Sequence, residues 1–197
     1  MLIDRSETNH KMDYTVENYT VDIDADDYIA RFRDERRFLE LCRQCPNFGC
    51  SWACPPLAPD AALVSGRYRY ARIIATKITP ARTDLSVDRA MELIRPERIR
   101  LERHLLDMES RCDARAFAFG GKCLYCGDEP CARSSGRPCR HPDKVRPSLE
   151  AFGFDLGLTL RELFDIELLW GNDGMLPRYI VLVSALFYNS LPDKFVE

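Results

Sequence analysis

The sequence has no long apolar segment. Its longest apolar run, residues 179–188, covers ten residues and includes Ser184, whereas a transmembrane helix needs about 20. We therefore expect no membrane partner and interpret this run as a buried strand. Residues 1–11 are mostly polar or charged and carry no apolar export signal. A reducing, cytoplasmic location is therefore expected.

Motifs for the common nucleotide-binding and catalytic sites are also missing. There is no P-loop, no G-x-G-x-x-G after a strand and no G-x-S-x-G nucleophile motif, so nucleotide-dependent and hydrolase functions lack support. Lysine is scarce, with five among 28 basic residues, and the formal net charge is −3. Such a charge gives no general attraction for polyanions, so no nucleic-acid partner is expected.

Cysteine, by contrast, is abundant, and eight of the nine cysteines form two similar sets. The gaps between them are two, four and three residues in the first set and two, four and seven in the second. These gaps are short enough for four thiolates of one loop to enclose one metal centre. The predicted ligands are Cys42, Cys45, Cys50 and Cys54 in the loop 42–56 and Cys123, Cys126, Cys131 and Cys139 in the loop 123–142.

Three kinds of cysteine site fit these sets to different degrees. Disulfides fit poorly, because no export signal is evident and an odd number of cysteines strands one thiol. Zinc sites usually use two closely spaced ligand pairs per ion, whereas each set has a single C-x2-C. The ending Cys50-x3-Cys54-Pro55 is typical of bacterial ferredoxins. We therefore expect two iron-sulfur clusters of the [4Fe-4S] type, with zinc as the alternative.

Which thiolates share a cluster stays open at this point, because the last cysteine of a ferredoxin run ligates the other cluster in two-cluster proteins. The ninth cysteine, Cys112, follows Leu101, Leu105 and Met108 at helical spacing, which predicts a small buried hydrophobe and no ligand role. Of the three histidines, only His141 lies near a proposed site.

Aromatic and basic residues accompany the cysteines. Aromatic cover limits the access of solvent to a cluster, although the same rings also serve ordinary core packing. The basic residues either offset thiolate charge, dock an acidic partner or form a solvated face. These residues are Phe48, Trp52 and Tyr125 and the arginines Arg133, Arg137, Arg140 and Arg146.

The combined motifs resemble a family of uncharacterised prokaryotic proteins described as predicted metal-binding. They are C-x2-C-P-x-[aromatic]-G-x2-W-x-C-P-P over residues 42–56, a later C-x2-C, Cys139-Arg-His-Pro142 and Arg146-Pro-Ser-Leu-Glu-Ala-Phe-Gly153. The resemblance spans most of the chain and implies metal or iron-sulfur binding. In the family pattern the position of Cys50 need not be cysteine, and the gap between Cys126 and Cys131 is shorter than here.

Apolar periodicity predicts strands that alternate with helices, in a single domain over residues 1–197. We expect an α/β or α+β fold with a small mixed sheet covered by helices. The expected strands are 14–23, 71–78, 114–119 and 178–187. The expected helices are 28–42 capped by Asp24 or Asp26, a long helix interrupted at Pro96, a short helix from Pro147 to Ala151 and one from Thr159 to Trp170, followed by a turn at 171–174.

Three functions are compatible with this pattern. The first is electron transfer between iron-sulfur clusters and an unidentified redox partner protein. The second is a redox enzyme or maturation factor whose cluster has an iron open to substrate, which fits the first set if Cys50 is not a ligand. The third is a zinc-stabilised interaction module without redox chemistry.

Overall fold

The chain forms an antiparallel sheet with helices on both faces. The structure is a computed structural model that describes residues 2–4, 14–57, 66–82, 84–171 and 175–190. The strands are β1 (Leu2–Asp4), β2 (Tyr14–Asp24), β3 (Tyr70–Pro80), β4 (Ala114–Phe117) and β5 (Ile180–Tyr188). The α-helices are α1 (Ala25–Phe32), α2 (Glu35–Arg43), α3 (Val87–Arg111) and α4 (Leu156–Phe164), and two short 3-10 helices cover Ala132–Ser135 and Glu150–Phe152.

The strands lie in the order β1-β2-β3-β5-β4, and every strand pair is antiparallel. The β2–β3 pair runs from Tyr14 opposite Pro80 to Asp24 opposite Tyr70. Within the described ranges, the one parallel pairing is an isolated bridge between Ala118 and Ser148. The α+β alternative is therefore confirmed, and the sheet is antiparallel where a mixed one was expected. The predicted strands are all present, and β1 was not predicted.

Alternation along the strands divides the core into two clusters, one on each face of the sheet. On one face, Ile78 and Leu186 pack with Leu105 and Met108 of α3. On the other face, Ile73, Val183 and Phe187 pack with α1, α4 and the 3-10 helix Glu150–Phe152. The rings there pack in stacked, tilted and edge-to-face pairs, and the ring centres of Tyr28 and Phe154 are 5.0 Å apart. The 3-10 helix Glu150–Phe152, which contacts α2 at the start of the first cysteine loop, thus packs on one face of the sheet through Phe152.

A break divides the predicted helix 28–42 into α1 and α2. Asp24, which is one of the two predicted caps, caps α1. Its side chain accepts hydrogen bonds from two backbone amides in the first turn of the helix. Arg33 is extended, and the Asp34 side chain then accepts a hydrogen bond from the Arg37 amide, which starts α2. The Asp34 amide donates to the carbonyl of Gly153, 2.8 Å away. The cap and this distant carbonyl together fix the break.

The long helix α3 runs through Pro96 without the predicted interruption. Proline in a helix interior removes one hydrogen bond and costs about 3 kcal/mol. The buried residues Ile94, Leu101 and Met108, on both sides of the proline, pack against the sheet and offset this cost. Because α3 ends at Arg111, Cys112 is the residue after the helix and is only half-buried, so the prediction of a core position was wrong.

Helix α4 begins and ends earlier than predicted. Asp155 caps it by accepting a hydrogen bond from the Leu158 amide, so Thr159 lies inside the helix. The buried Thr159 hydroxyl lies 3.1 Å from the Tyr28 hydroxyl and 2.7 Å from the Asp155 carbonyl. Asp165 has a left-handed backbone, which ends the helix before the predicted limit. Most of the predicted turn at 171–174 lies outside the described residues.

The predicted short helix after Pro147 is the 3-10 helix Glu150–Phe152. Gly153 follows it with φ +90°, and its backbone lies against the start of α2. A Cβ atom at this position would lie 2.5 Å from the Cα atom of Glu35. Glycine is therefore required here both for its backbone angle and for the close approach of two chain segments.

Of the helices described, none combines the length and apolar character needed to cross a membrane.

We expect Gly153→Ala to destabilise the fold more than Gly66→Ala. Both glycines have positive φ, which costs an alanine about 1–2 kcal/mol. An added Cβ at Gly66 has nothing within 4 Å, whereas at Gly153 it collides with the backbone of α2. The midpoints of urea unfolding measure the difference. Equal losses for the two variants would contradict the close approach at Gly153.

Candidate metal centre

The first cysteine loop begins inside helix α2. Cys42 lies in the last turn of that helix, as predicted. The loop then proceeds through tight turns, in which the Cys45 amide donates to the Cys42 carbonyl and the Cys54 amide donates to the Ser51 carbonyl. The Gly49 amide donates to the Pro55 carbonyl at 2.8 Å and closes the loop. The turns thus gather the four cysteines of residues 42–56 in one folded segment.

Three thiols of the first loop influence one another electrostatically. Burial raises the pKa of Cys42, and the charges of Glu150 and Cys45 add to this rise. Burial also raises the pKa of Cys54, to which the charges of Cys45 and Cys42 contribute, while a Ser51 hydrogen bond lowers it. Cys50 is exposed and is not among the groups that act on either thiol. Cys45 is exposed as well, so Cys50 differs from Cys45 only in that its charge does not contribute to the raised pKa of Cys42 or Cys54.

The second cysteine loop shows a similar division. Burial raises the pKa of Cys123, the charges of Cys126 and Cys131 add to the rise, and a hydrogen bond from the Tyr125 backbone lowers it. Cys139 is not among these causes. Its sulfur accepts a hydrogen bond from the His141 amide at 3.4 Å. Amide hydrogen bonds to sulfur are among the features that set the reduction potential of a thiolate-ligated cluster.

Arg140 holds the middle of the second loop. It donates to the Pro130 carbonyl at 3.1 Å and forms an ion pair with Glu129 at 3.4 Å. A hydrogen bond with the Cys126 thiol raises the pKa of Arg140, as does the charge of Glu129. Arg140 therefore places a positive charge beside a predicted thiolate, which is one of the roles that the sequence left open for the arginines.

Arg133 joins the second loop to the first. Its guanidinium donates to the carbonyls of Ser51 at 2.7 Å and Cys54 at 2.6 Å, and it also donates to the Pro56 carbonyl. Arg133 itself lies in the 3-10 helix between Cys131 and Cys139. One side chain thus holds the end of the first cysteine loop against the middle of the second.

Trp52 completes this contact from the side of the first loop. Its indole Nε1 donates to the Arg137 carbonyl at 3.1 Å, and the Arg133 guanidinium lies 5.0 Å from the centre of its ring. A cation over an aromatic face is attracted by the ring. The two cysteine loops are therefore in direct contact, an arrangement that their sequence separation did not reveal. We call the contacts that Arg133 and Trp52 make between the two loops the loop contact.

Helix α3 anchors the second loop to the core. Arg146, just beyond that loop, forms an ion pair with Glu109 of α3, and the Glu109 carboxylate also accepts from the Ala116 amide of β4. Nearer the middle of α3, Arg98 and Glu102 form a buried ion pair of 3.1 Å. The charge of Glu102 contributes to the raised pKa of Cys123. The base of the second loop is therefore held by charged side chains of α3.

The aromatic residues and the histidine predicted near the sites are all at the loops. Phe48 and Tyr125 are half-buried, and Trp52 is exposed at its edge while making the loop contact. Tyr125 packs against His141, with ring centres 6.2 Å apart. Burial raises the pKa of Tyr125, and the charge of Glu102 adds to this rise. These residues cover the cysteine loops without forming a separate core.

The donor chemistry of both loops suits a thiophilic metal. All nine cysteines are free of disulfides, so the thiols of both sets are available as ligands. In the described part of the chain, however, no group of three or more His, Cys, Asp or Glu side chains converges closely enough to hold a metal ion. Binding would therefore have to draw the thiols together, as happens where metal binding and local folding are coupled. The assignment of the eight cysteines as ligands stays a prediction.

Glu150 was not singled out from the sequence. It lies in the 3-10 helix Glu150–Phe152, and its charge contributes to the raised pKa of Cys42. Burial raises the pKa of the Glu150 carboxyl itself, while its own backbone, the Ser148 hydroxyl and the Arg98 charge act in the opposite direction. The sequence feature that could have identified it is the family segment Arg146-Pro-Ser-Leu-Glu-Ala-Phe-Gly153, in which Glu150 is the acidic residue.

Comparison with known proteins yields one match. The model of the family described as "Predicted metal-binding protein (DUF2284)" matches residues 23–186. This span contains both cysteine loops, the loop contact and Glu150. The match confirms the resemblance inferred from the motifs, and it does not assign individual ligands. No curated protein and no solved structure matches the chain.

Removal of the Arg133 side chain is expected to separate the two loops. Arg133→Ala eliminates three hydrogen bonds to carbonyls of the first loop and should destabilise the protein by about 1–2 kcal/mol, discounted for partial exposure. Arg133→Lys keeps the positive charge but lacks the planar set of hydrogen-bond donors, so it should recover little of the stability that Arg133→Ala loses. Limited proteolysis within residues 44–57 and acrylamide quenching of tryptophan fluorescence measure the separation.

Arg137→Ala is the matched control for this experiment. It removes an arginine four residues away whose contact with Trp52 is made by the backbone carbonyl. That variant should keep the proteolysis pattern of the unmodified protein. If Arg137→Ala and Arg133→Ala open the first loop equally, a general loss of positive charge is responsible and the loop contact is not.

Proposed function

This chain belongs to that family of predicted metal-binding proteins, and we propose that it binds iron-sulfur clusters of the [4Fe-4S] type in its two cysteine loops. In this proposal, each loop supplies its four cysteines to one cluster and the protein transfers single electrons to and from a redox partner. Four protein thiolates leave no free coordination site on a cluster, which suits electron exchange better than catalysis.

The loop contact is the observation that carries this proposal. Arg133 bonds to the carbonyl of Cys54 and lies two residues from Cys131, so the two cysteine sets are neighbours in space. Two adjacent redox centres allow an electron to pass from one to the other. Adjacent thiol sets also occur in zinc modules, so the preference for iron over zinc rests on the ending Cys50-x3-Cys54-Pro55, as in bacterial ferredoxins.

The residues around the cysteines have defined tasks in this proposal. A bound cluster would supply the electron-accepting and electron-donating chemistry. The His141 amide donates to the sulfur of Cys139, and Arg140 places positive charge beside Cys126. Both features favour the more negatively charged, reduced form of a centre in the second loop. Trp52 and Arg133 hold the two loops against each other.

Metal analysis after anaerobic purification tests the proposal. We expect a brown protein that contains iron and acid-labile sulfide. Cys45→Ser or Cys126→Ser should lower the iron content by about half, because each removes a ligand from one of two clusters. Resistance to proteolysis should fall as well, because the binding energy of a thiolate-ligated centre contributes to folding.

Cys112→Ala is the control, since Cys112 lies at the end of α3 and outside both loops. It should leave iron and sulfide unchanged. Loss of iron in that variant would show that the assignment of ligands is wrong. A colourless protein that holds stoichiometric zinc after anaerobic preparation would contradict the iron-sulfur proposal itself.

A second candidate function is supported by the environment of the first loop. The charge of Cys50 does not contribute to the raised pKa of Cys42 or Cys54, and a large cavity reaches Cys42 and Cys45. If only Cys42, Cys45 and Cys54 hold the cluster, one iron stays open to a substrate, as in catalytic metal sites generally. The protein would then be a redox enzyme or a maturation factor.

The variant Cys50→Ser separates the two candidate functions. Full ligation predicts that it loses the first cluster, as Cys45→Ser does, because serine is a poorer ligand for iron than a thiolate. This is the expected outcome, measured by iron content and by the absorption and electron paramagnetic resonance spectra. A complete cluster spectrum in Cys50→Ser, together with perturbation of the unmodified protein's spectrum by a small molecule, would instead support the open-iron enzyme.

A further inference from the structure

A large cavity lies beside the first cysteine loop. Its volume of about 1210 Å³ exceeds the range of about 300–1,000 Å³ that is usual for small-molecule sites. Cys42 and Cys45 belong to its wall, and so do residues 180–183 of strand β5. Neither the proposed metal ligands nor the loop contact accounts for a space of this size.

The cavity runs along the edge of β5. Successive side chains of a strand point to opposite faces of the sheet, so a cavity on one face touches alternate residues. Here four consecutive residues, 180–183, belong to the wall. Leu182 packs in the core cluster on the α3 side of the sheet, and Val183 packs in the cluster on the other side. The cavity therefore reaches both faces of β5, as a cavity at an open strand edge does.

Strand β4 ends before it reaches this part of β5. It pairs with residues 185–188, and its last pair joins Phe117 to Ala185. The next amide, that of Ala118, donates instead to the Pro147 carbonyl at 3.0 Å. In the described part of the chain, β3 is the one strand that pairs with residues 180–184. Alternate residues of this segment therefore direct their amide and carbonyl groups to a side on which the described chain places no strand.

Gly120 and Gly121 lie where β4 would continue. In the register of β4 they would stand opposite Leu182 and Val181, but they belong to the wall of the cavity. Having no side chains, they leave the space beside the edge open. Four residues of an extended chain span about 14 Å, at about 3.4 Å per residue. A peptide of this length can add to residues 180–183 as a strand, held by hydrogen bonds between main chains.

The wall also offers exposed apolar side chains. Leu41 of α2, Met91 of α3 and Trp170 all belong to it and all stay partly or largely exposed, Trp170 to 80%. Burial of such side chains against a ligand removes hydrocarbon surface from water. Because the cavity reaches both faces of β5, apolar side chains on both faces of an added strand have contacts there.

The charges in the wall favour a basic peptide over an acidic one. Carboxyl groups outnumber guanidinium groups by four to two, and by three to two without Glu150, whose Oε2 atom is buried. Arg37 is paired with Asp155 at 3.1 Å. The exposed Asp165 forms no ion pair within the described chain. Thiolates at the cysteines of the wall add further negative charge, so a lysine or arginine of the peptide is attracted and an acidic residue is repelled.

We propose that the cavity binds an extended segment of a partner protein, which adds as a strand to residues 180–183 of β5 and carries apolar residues and a lysine or arginine. The segment then lies beside Cys42 and Cys45. The strand edge and the cavity are independent of any metal. Only an exchange of electrons with that partner rests on the proposed function.

Two synthetic peptides test the strand addition on the anaerobically purified full chain. The probe is acetyl-Lys-Val-Ile-Val-Thr-amide, and the control has the same side chains with methyl groups on the amide nitrogens of its three central residues. Methylation removes main-chain donors that a strand needs. We expect the control to bind at least about tenfold more weakly in isothermal titration calorimetry, as the loss of one or two hydrogen bonds implies. Equal binding of the two peptides, or no binding of the probe, would overturn the proposal.

Hydrogen exchange locates the bound probe. In the free protein, the amides of residues 180–184 that do not bond to β3 should exchange quickly, and the probe should protect them. Slow exchange of these amides in the free protein would show that another part of this chain or a second copy already covers the edge. Either that result or protection confined to other segments would overturn the proposal.

Two positions in α3 provide matched variants. Met91 and Ile99 are exposed to similar extents, 39% and 37%, but only Met91 lines the cavity. Met91→Ala should weaken binding of the probe at least about threefold, because it removes apolar contact area, whereas Ile99→Ala should leave binding unchanged. Circular dichroism checks the fold of both variants. Equal effects of the two substitutions would place the probe elsewhere and overturn the proposal.

A further pair of variants tests the preference for a basic residue. A peptide with glutamate in place of the lysine should bind at least about threefold more weakly at low salt. Asp165→Asn should reduce this difference, since asparagine tolerates the left-handed backbone of Asp165. Glu162→Gln changes a carboxylate of α4 outside the wall and should preserve it. Equal binding of the lysine and glutamate peptides would refute a basic partner segment.

Iron content distinguishes failure of this proposal from failure of the proposed function. Iron is measured in every sample. An iron-loaded protein that does not bind the probe would refute the strand addition alone, whereas an iron-free protein that binds the probe would refute the iron-sulfur proposal alone.

Discussion

The contact between Arg133 and the first cysteine loop is the interaction on which the candidate site depends. The two loops are separate in the sequence, and neither contains an α-helix or a strand that joins it to the other. A single guanidinium bonds to three carbonyls at the end of the first loop. Arginine suits this task because its planar group presents five donors in a fixed arrangement and stays charged at all relevant pH values.

The position of this contact has consequences for both sets of thiols. Cys54 is the last cysteine of the first loop, and its carbonyl is one of the three acceptors. Arg133 is held by the 3-10 helix between Cys131 and Cys139. A change in the conformation of either loop therefore reaches the other through a few bonds. If clusters form in both loops, their assembly and their electrostatics are linked by this side chain.

The sequence predicted the regular elements best where local pattern and packing agree. The alternation in β2 and the continuous apolar run of β5 match strands in the middle of the sheet, and the spacing of Leu101, Leu105 and Met108 matches one face of α3. The helix spacing also located Cys42 at the end of α2. In these elements the period of the apolar residues follows from the face that each element buries.

The predicted helix boundaries were wrong where a contact with a distant residue or a competing capping residue determines where the helix begins or ends. The break after α1 depends on the Gly153 carbonyl, 119 residues beyond Asp34, as the partner of the Asp34 amide. At α4, both Asp155 and Thr159 fit a capping position, and Asp155 prevails because Thr159 is buried against Tyr28. Local propensity cannot distinguish such alternatives, since tertiary contacts determine which one forms.

The candidate site was predictable in its chemistry but not in its arrangement. Cysteine spacing named eight thiols and a family, yet the partners of Arg133 lie 77 or more residues away along the chain. The arginines, which the sequence left as possible docking residues for an acidic partner, are largely occupied by internal bonds: Arg133 with the first loop, Arg140 with the second and Arg146 with α3.

The arrangement of the thiols bears on the choice between carrier and catalyst. In each loop the fourth cysteine, Cys50 or Cys139, is not among the charges that raise the pKa of Cys42, Cys54 or Cys123. The two fourth thiols differ in their surroundings, because Cys139 accepts an amide hydrogen bond and is half-buried while Cys50 is exposed. These surroundings make the second loop the stronger candidate for the four-thiolate centre proposed above. In the first loop, Cys42 and Cys45 line a large cavity, which is the feature that the proposed open-iron enzyme requires. Under the proposed function, the contact that Arg133 makes would keep a centre in the second loop next to one in the first.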